Sequence, residues 1–505
     1  MSSHATRPSR SVSLLGAVVA TVGAAQADAT ARTWTNGLGN GDFYQPLNWS
    51  PNGGPATSDD LTISTGNVTA SRSPIIENGG SLLIEGSSTV VSFPPLWFLE
   101  VGANGTGTLD VRGGATLNQQ NVTFIGREVG SDGKMFVDGP TTVANLDDLT
   151  VASRGTGLLE ITNGGIVNTE TDTWISSAGG TGTVRVTGTG SQFKIGTAQA
   201  PNILRLGSNG AVGTLEVTAG ATVDVTSNAR LGINGGRGEI IVDGTNSRLD
   251  VGGFLEVASF GAGSVNISNG GVVTAANAGT HSLSYLNVGT STVDVVGTNS
   301  TLDIAGDFLV GQGFDISNTG PATVTADDRG EVRVGDTLRL KPQGTLTVNP
   351  LGRIKANTLA LEGGTLNTQD NSWIEVNDIT GLGPSPFFRG NLVFGHSGGA
   401  ANVTLDQGGF FIIQRGLDIG ADAAEETSVV TVTNNTAVFS GFISVAFLSG
   451  TKGRLVIESD GEVRNGDFAG IGHGGTGTGE IIVRGNYTTG QMRIGSSLSI
   501  ENGFA

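Results

Sequence analysis

The 505-residue sequence contains no cysteine, only four histidines and few charged residues, which make up 14% of the chain. The absence of cysteine excludes disulfides, zinc fingers, iron–sulfur clusters and thiolate nucleophiles. The chain carries 27 Lys and Arg against 45 Asp and Glu, a net charge of −18. Phosphate backbones and anionic lipids require clustered cations, which this sequence lacks. Nucleic acid is therefore not an expected partner.

Glycine is present in excess, with 83 residues in the chain. This fraction is more than twice the ~7% of ordinary proteins. Glycine recurs at no fixed third position, so collagen is excluded. Hydrophobic residues make up 37% of the chain, which is more than a disordered linker contains. The composition indicates a folded chain with many sharp turns.

The first 27 residues are typical of a secretory signal peptide. Arg7 and Arg10 form the basic start, residues 12–25 the apolar stretch, and Ala25-Gln26-Ala27 a small-residue cleavage site. The apolar stretch is shorter than the ~20 residues that span a bilayer, and no later segment is apolar enough to do so. We expect Asp28 to begin a mature, exported chain without a transmembrane segment.

A repeat of about 25 residues is the strongest signal in the sequence. Its mark is an aliphatic residue followed by Gly, Ala or Ser, and successive marks are 22 to 31 residues apart. The marks, with a gap after the eleventh, are Val101, Ile125, Val151, Ile175, Leu206, Leu231, Val257, Val288, Val310, Val334, Leu359, Ile419, Val445, Ile471 and Ile494.

Each unit alternates apolar and polar residues with the two-residue period of a strand. In one unit Leu204, Leu215 and Val223 should face inward, whereas Arg205 and Glu216 should face outward. Three short strands per unit predict an all-β fold, a parallel β-helix or β-solenoid of about 15 coils. At ~4.8 Å per coil, the rod would be roughly 70 Å long. A β-sandwich or a propeller is the alternative.

Two kinds of corner alternate along part of the repeat. One contains Gly-Gly, at residues 163–165 and 269–271, and the other reads Gly-Thr-Gly/Asn-Ser, at residues 188–191, 244–247 and 297–300. The second kind predicts a stacked edge of Thr, Asn and Ser side chains. These side chains either close the turns through local hydrogen bonds or form a ligand-binding edge.

Three stretches, GTGTLDVRGGATL from Gly105, GTGTVRVTGTGSQFKIG from Gly180 and GTNSTLDIAGDFLVG from Gly297, carry a family resemblance. They resemble the repeats of type V secretion (autotransporter) passengers and PEP-CTERM-associated exported proteins. The Asn48-Trp49-Ser50 motif resembles the Trp-rich opening that precedes such repeats. The resemblance implies an adhesin-like β-solenoid at the surface of a Gram-negative-type bacterium, and it brings no catalytic residues.

The pattern divides the chain into five parts. After the signal peptide, residues 28–95 should form an aromatic-rich N-terminal cap and the first coils. Regular solenoid repeats follow over residues 96–371, an irregular insertion or distorted coil over residues 372–412, and further repeats over residues 413–505. If a binding site exists, the irregular segment is where we would expect it, because excursions from a rigid scaffold carry recognition.

Candidate catalytic residues are few. Gly395-His396-Ser397-Gly398-Gly399 matches a nucleophile elbow, but a strand rather than a helix should follow it. His281 and His473 are the other histidines of the mature chain. Adjacent carboxylates occur at residues 59–60, 147–148 and 327–328, and we interpret them as solvated turns. No calcium-loop motif is present, although weak Ca²⁺ binding at acidic corners stays open. No catalytic, metal or cofactor site is assigned.

Three functions are compatible with these features. The first is a noncatalytic adhesin or matrix protein that contacts glycans, cell-surface proteins or its own copies through many weak contacts. The second is a β-helical polysaccharide lyase or hydrolase. The third is a stalk for a C-terminal domain missing from this chain, because the sequence up to Ala505 contains neither a sorting segment nor a translocator barrel.

Overall fold

Over the residues that it describes, the computed structural model consists of strands, most of them short, and a single 3-10 turn, Pro46–Asn48. The described residues are 29–197, 202–275, 283–286, 291–311, 321–361, 364–369, 371–380, 387–388, 390–394, 401–405, 410–420, 427–433, 436–446, 450–458, 460–472, 477–484, 486–494 and 497–500. The signal peptide predicted for residues 1–27 lies outside them, as does the end of the chain beyond Ile500.

The first face of the solenoid, face A, is a 15-stranded sheet. All of its neighbouring strands are parallel, except that the short strand Trp49–Ser50 runs antiparallel to the first. The parallel strands are Ala31–Trp34, Asp60–Ile63, Ser81–Glu85, Thr106–Arg112, Asp132–Asp138, Thr156–Thr162, Thr181–Thr187, Val212–Thr218, Arg237–Asp243, Ala262–Ser268, Ser291–Val296, Ala322–Asp327, Gly344–Val348 and Thr365–Thr368.

Faces B and C complete each coil. Face B contains Gly66–Thr69, Thr89–Phe93, Ile166–Thr169, Gln192–Ile195, Thr222–Val225, Arg248–Val251, Val272–Ala275 and Thr301–Ile304. Face C contains Ile75–Ile76, Leu99–Val101, Thr173–Ile175, Leu204–Ser208, Ala229–Ile233, Leu255–Val257, Leu283–Leu286 and Asp307–Val310. Five longer strands continue from face B around the corner into face C: Thr116–Ile125, Val143–Val151, Glu331–Leu340, Arg353–Leu361 and Trp373–Thr380.

The C-terminal coils repeat the arrangement with a five-stranded sheet. That sheet contains Asn402–Leu405, Ser428–Val432, Lys452–Ile457, Thr478–Val483 and Ser497–Ile500. Between its strands run four long ones, Phe410–Ile419, Ala437–Val445, Glu462–Ile471 and Asn486–Ile494. The predicted all-β parallel solenoid, with about 15 coils and three strands per coil, is confirmed.

The inward side chains form stacked rows, as the alternation predicts. Leu215 pairs with Val184 of one neighbouring coil and Ile240 of the other, and all three are fully buried. The polar neighbour Glu216 faces outward, where its carboxylate accepts a hydrogen bond from Arg185. The two-residue period therefore separates a continuous aliphatic core from a charged surface.

The marks of the repeat form one of these rows. Val101, Ile125 and Val151 pair in register, and the row continues through Ile175, Leu206, Leu231 and Val257. In the C-terminal coils Ile419, Val445, Ile471 and Ile494 also pair in sequence. The predicted stacking is confirmed for these residues.

For two of the marks, Val334 and Leu359, the predicted place in this row is wrong. Val310 pairs with Leu340, not with Val334, and Val334 lies on face B beside Ile304. Leu359 lies on face C but pairs with Leu338, two positions away from the row. The reason is that Glu331–Leu340 carries residues of two faces in one strand, so its first apolar-Gly pair marks the wrong face. Val288 lies outside the described residues.

The small residue after each mark of this row turns the chain from face C to face A. Gly126 and Ala152 both have the positive φ of the left-handed region, 75° and 60°. Left-handed geometry favours glycine because a Cβ crowds the backbone there. The repeated Gly, Ala or Ser is thus the residue at which each coil closes.

A second set of glycines lies inside the rod. Gly213, on face A, is buried, and a Cβ at its position would be 2.1 Å from the carbonyl oxygen of Ile175 in the preceding coil. Backbone rather than a flexible side chain occupies that space, so the neighbour cannot yield easily. The high glycine content therefore has two causes: the sharp corners of each coil and the close approach of backbones in neighbouring coils.

Replacing Gly213 with Ala should lower the free energy of unfolding by about 3 kcal/mol, because overpacking against fixed backbone is costly. The matched control is Gly210→Ala, at an exposed corner where nothing lies within 4 Å but φ is 78°. That change should cost only about 1 kcal/mol of backbone strain. Thermal denaturation of both variants tests the difference, and a smaller loss for Gly213→Ala than for Gly210→Ala would contradict it.

The position in the repeat that forms a given face differs between the first set of coils and the C-terminal set. Trp373–Val376 of face B pairs with Asn391–Phe394, which in turn pairs with Gly416–Ile419. In the sequence, the strand after Gly416–Ile419 is Ser428–Val432 of the five-stranded sheet. In the first set of coils, it is the face C strand that comes directly before a strand of the large sheet. The repeat is therefore displaced by one face within residues 372–412, while the stacking of strands continues.

Aromatic residues fill the N-terminal end of the rod. Trp34, Phe43 and Trp49 are at most 3% exposed, and Trp49 meets the other two rings edge to face at 5.2 and 5.3 Å. Phe43 also contacts Phe93 of the core at 6.2 Å. Because these rings are buried, they cover the first coils and do not form a platform on which a sugar could stack.

Candidate functional site

A groove of about 650 Å³ lies at the corner between faces B and C. Pro95 lines one side of it, and the segment around Pro95 is held by two hydrogen bonds from the next coil. Gln119 Nε2 donates to the carbonyl of Trp97 at 2.7 Å, and Asn121 Nδ2 donates to the carbonyl of Pro95. These bonds attach the segment to the rod, so the groove is a built feature of the surface.

A ladder of asparagine side chains runs along the groove. Asn168 Nδ2 donates to Asn145 Oδ1 at 2.8 Å, and Asn145 Nδ2 donates to Asn118 Oδ1 at 2.9 Å. Asn118 Nδ2 then donates to Ser92 Oγ at 3.3 Å. Each amide uses one of its two N–H donors in the ladder. The ladder fixes the side chains and leaves polar groups spaced at the ~4.8 Å separation of the coils.

Gln119 supplies an acceptor without a partner in the same groove. Its side chain is 2% exposed, and its Oε1 has no hydrogen-bond partner among the described residues. A buried acceptor left without a partner costs about 1–3 kcal/mol.

Carboxylates gather where the groove ends. Asp147 and Glu170 line it, and Asp148 and Asp172 lie one above the other, because the residues that follow them, Leu149 and Thr173, pair. Burial, followed by the charges of Asp172 and Asp147, raises the pKa of Asp148 to about 6. Its Oδ1 is buried without a hydrogen-bond partner among the described residues.

Asp172 differs from Asp148 in its partners. It accepts hydrogen bonds from Arg205 Nη1 and from the backbone N–H of Ile203. The Arg205 guanidinium also stacks over the ring of Trp174 at 4.6 Å. The two carboxylates of adjacent coils are therefore unlike: one is paired with a cation, and the other binds its proton more tightly than usual.

The interpretation of the adjacent carboxylates as solvated turns is only partly right. It holds for Asp327 and Asp328, which form a turn in which Asp327 Oδ1 accepts from the N–H of Asp328. It is wrong for Asp59, which is 3% exposed and binds Arg32. It is also wrong for Asp148, which is half-buried in a strand, next to the groove residue Asp147.

The two kinds of corner hydrogen-bond to each other across adjacent coils. Ser191 Oγ accepts from the N–H of Gly164 at 3.0 Å and donates to the carbonyl of Thr187 at 2.7 Å. Ser247 and Ser300 make the equivalent pairs of bonds with the coils before them. For these hydroxyl groups the turn-closing interpretation is confirmed.

Three further sequence candidates cannot be placed relative to the groove. His281, the motif at residues 395–399 and His473 lie outside the described residues. Among the residues that are described, no group of three or more His, Asp or Glu could hold a metal ion. Within the same part of the chain, no helix is long and apolar enough to cross a membrane.

Sequence inspection missed the asparagine ladder, although a signal was present. Asn118, Asn145 and Asn168 each follow an inward aliphatic or alanine residue of face B, at the same place in three successive units. A strict search for a recurring polar residue at one repeat position would find them. The unpartnered oxygen of Gln119 depends on the path of a loop and has no such signal.

No protein-family model and no curated protein matches the chain. Among solved structures, the chain is similar to one described as the crystal structure of a TibC-catalyzed hyper-glycosylated TibA55-350 fragment. The identity is 13%, the TM-score is 0.17, and the similarity covers 83% of this chain and 99% of that one. At these values we draw no functional conclusion from it.

Proposed function

We propose that the chain is an exported, surface-exposed and noncatalytic β-solenoid with an adhesin-like or extracellular-matrix role. In this proposal it contacts neutral glycans through the groove between faces B and C. The observation that supports it is the fixed asparagine ladder along the groove. Amide groups donate to and accept from sugar hydroxyls without requiring a charge on the ligand.

The spacing of the ladder suits an extended polymer. Coils stack ~4.8 Å apart, a repeat comparable to the length of one sugar ring along an extended polysaccharide. Each contact would be weak, since a hydrogen bond contributes about 0.5–1.5 kcal/mol net. Several contacts on one rod, and several rods on one surface, would give useful adhesion through multivalency.

Affinity electrophoresis of the full chain in gels containing dextran, galactomannan or xylan tests this function. We expect retardation in at least one gel, and Asn145→Ala should weaken binding about 3- to 10-fold through loss of one or two hydrogen bonds. Asn266→Ala is the matched control, because Asn266 lies on the outside of face A and bonds Glu239 at 3.4 Å. Absence of retardation in every gel, or an equal effect of both variants, would count against the proposal.

A second candidate function, polysaccharide hydrolysis, is favoured by the raised pKa of Asp148. A carboxyl group with a pKa of about 6 close to two other carboxyl groups, Asp147 and Asp172, has the properties of a general acid. Release of reducing ends from any of the three polysaccharides, abolished in Asp148→Asn but not in Asp60→Asn, would replace the noncatalytic proposal with this one.

A further inference from the structure

A second concave site lies far along the rod from the asparagine groove, at the corner between faces A and B. Its volume is about 400 Å³, and its lining includes Arg329, Arg333, Arg353, Glu331 and Trp373. These residues come from three successive coils, because Glu331, Arg353 and Trp373 pair in register on face B. The neighbouring row places Arg333 beside Lys355. Four cations thus occupy one patch of a chain whose net charge is −18.

The charges of this patch are layered. The carboxylates lie underneath, with the side chains of Glu331 and Glu375 only 13% and 12% exposed, whereas Arg333 and Arg353 are 48% and 42% exposed. Arg333 Nη2 lies 2.7 Å from Glu331 Oε2, and Lys355 Nζ lies 3.1 Å from Glu375. The buried acids hold the cations in place, and solvent meets mainly the guanidinium groups.

Glu331 is held as an anion by this arrangement. Burial raises its pKa, but the hydrogen bond from Arg333 and the charges of the neighbouring cations outweigh burial and lower the pKa below its usual value. Its second oxygen, Oε1, has no hydrogen-bond partner among the described residues, and the Lys355 ammonium is 3.6 Å from it. The buried carboxylate therefore fixes the cations around it, and the charged groups that the pocket offers to a ligand are mainly donors.

The pocket also has an apolar part. The guanidinium of Arg353 is 5.7 Å from the centre of the Trp373 ring, and Leu351 is 41% exposed at the rim. A small inorganic anion would use the cations and leave the ring and Leu351 without a partner. A ligand that uses every part has an acidic group, hydroxyl groups and a face of C–H bonds.

We propose that this pocket binds a carboxylated sugar unit of an acidic polysaccharide. A guanidinium fork matches a carboxylate with two parallel hydrogen bonds, and Arg333 and Arg353 are exposed enough to provide it. Trp373 would pack against the C–H face of the sugar ring. At physiological ionic strength the Debye length is ~8 Å, so the acidic surface elsewhere does not cancel the local attraction.

The test compares two polymers with the same backbone. Polygalacturonate carries free carboxylates, whereas fully methyl-esterified pectin carries none, and binding of the full chain to each is measured by biolayer interferometry at 150 mM salt. We expect binding to the free acid that is at least 10-fold tighter than binding to the ester. Equal binding to both polymers, or no binding to polygalacturonate, would overturn the proposal.

Variants locate the binding on the rod. Arg353→Gln should weaken binding to polygalacturonate about 10-fold, as expected for loss of a charged hydrogen bond, and it leaves Glu375 paired with Lys355. Arg353→Lys keeps the positive charge but loses the two parallel N–H donors of the guanidinium, and Trp373→Leu keeps every charge. Weaker binding to polygalacturonate in both variants would exclude simple charge attraction. Arg112→Gln is the control, since Arg112 is 46% exposed and pairs with Glu85 on face A.

Competition separates a sugar site from a general anion site. Galacturonic acid should displace the polymer at a concentration at which inorganic phosphate does not, because only the sugar has a C–H face that packs against Trp373. Equal displacement by phosphate would contradict the assignment of the ligand class. The result is independent of the asparagine groove, since Asn145→Ala should leave binding to polygalacturonate unchanged while it weakens binding to neutral glycans.

Discussion

Replacing Leu215 with Asp should destabilise the solenoid by about 5 kcal/mol, because the carboxylate would be buried without a partner. Leu215 is fully buried between Val184 and Ile240 of the adjacent coils. Each coil contacts only its neighbours, so a broken coil should also open the stack locally. Thermal denaturation and hydrogen exchange of residues 181–243 would measure both effects.

The matched control is Leu158→Asp on the same face. Leu158 points outward and pairs with Lys134 and Thr183, so the new carboxylate would remain in solvent beside a cation. We expect a change within about 0.5 kcal/mol, and a similarly small effect for Thr245→Ala at an exposed corner. Equal losses for Leu215→Asp and Leu158→Asp would contradict the inward and outward assignment of face A.

Replacing Asp59 with Asn should cost about 3–5 kcal/mol at neutral pH, as expected when one partner of a buried ion pair is removed. The side chain is 4% exposed and accepts from Arg32 Nε at 2.7 Å. It also accepts from the backbone N–H groups of Ala56 and Thr30, at 3.0 and 3.2 Å. These bonds join the first strand of the rod to the second coil, so their loss should loosen the N-terminal end.

The effect of Asp59 should depend on pH in a defined direction. Burial raises the pKa of Asp59, but the bonds from Ala56, Arg32 and Thr30 outweigh burial and lower the pKa below its usual value of 3.8. A carboxylate with a depressed folded pKa stabilises the fold above its unfolded pKa, and this contribution is lost as the pH falls through the folded pKa.

The difference in melting temperature between the wild type and Asp59→Asn should therefore be full at pH 7 and shrink below pH ~4. Asp60→Asn is the control, because Asp60 is exposed and accepts only from Ser81 Oγ, at 2.7 Å, among the described side chains. A constant difference from pH 7 to pH 3 would show that the charge of Asp59 does not stabilise the N-terminal end.

Sequence periodicity predicted the fold because each face of the rod has the same local requirement. An aliphatic residue every second position fills the core, and a small residue permits the left-handed corner, so Val101, Ile125 and Val151 could be placed before their pairing was known. The prediction failed at Val334 because one strand there covers two faces. The bend falls at Gly335 and Asp336, and the pair Val334-Gly335 has the same form as a mark of the repeat, so the sequence pattern alone does not tell the two apart.

The candidate sites were harder to predict because they depend on stacking between coils. Asp148 and Asp172 are 24 positions apart, and they meet only because one coil lies above the other. The same is true of Glu331, Arg353 and Trp373. A search for adjacent residues along the chain finds Asp147 and Asp148 as a pair, but the neighbour that matters most to Asp148 after burial is in the next coil.

The hydrogen bonds of the serine corners restrict how many coils this part of the chain can gain or lose at once. Each Ser hydroxyl bonds the amide of a glycine corner in the coil before it, so coils of the two kinds must alternate over residues 164–300. A genetic crossover displaced by two coils would preserve every hydroxyl–amide match. A displacement by one coil would bring like corners together, and both the hydroxyl and the amide would lose their partners. Growth or shortening of this part of the rod is therefore easiest in pairs of repeats.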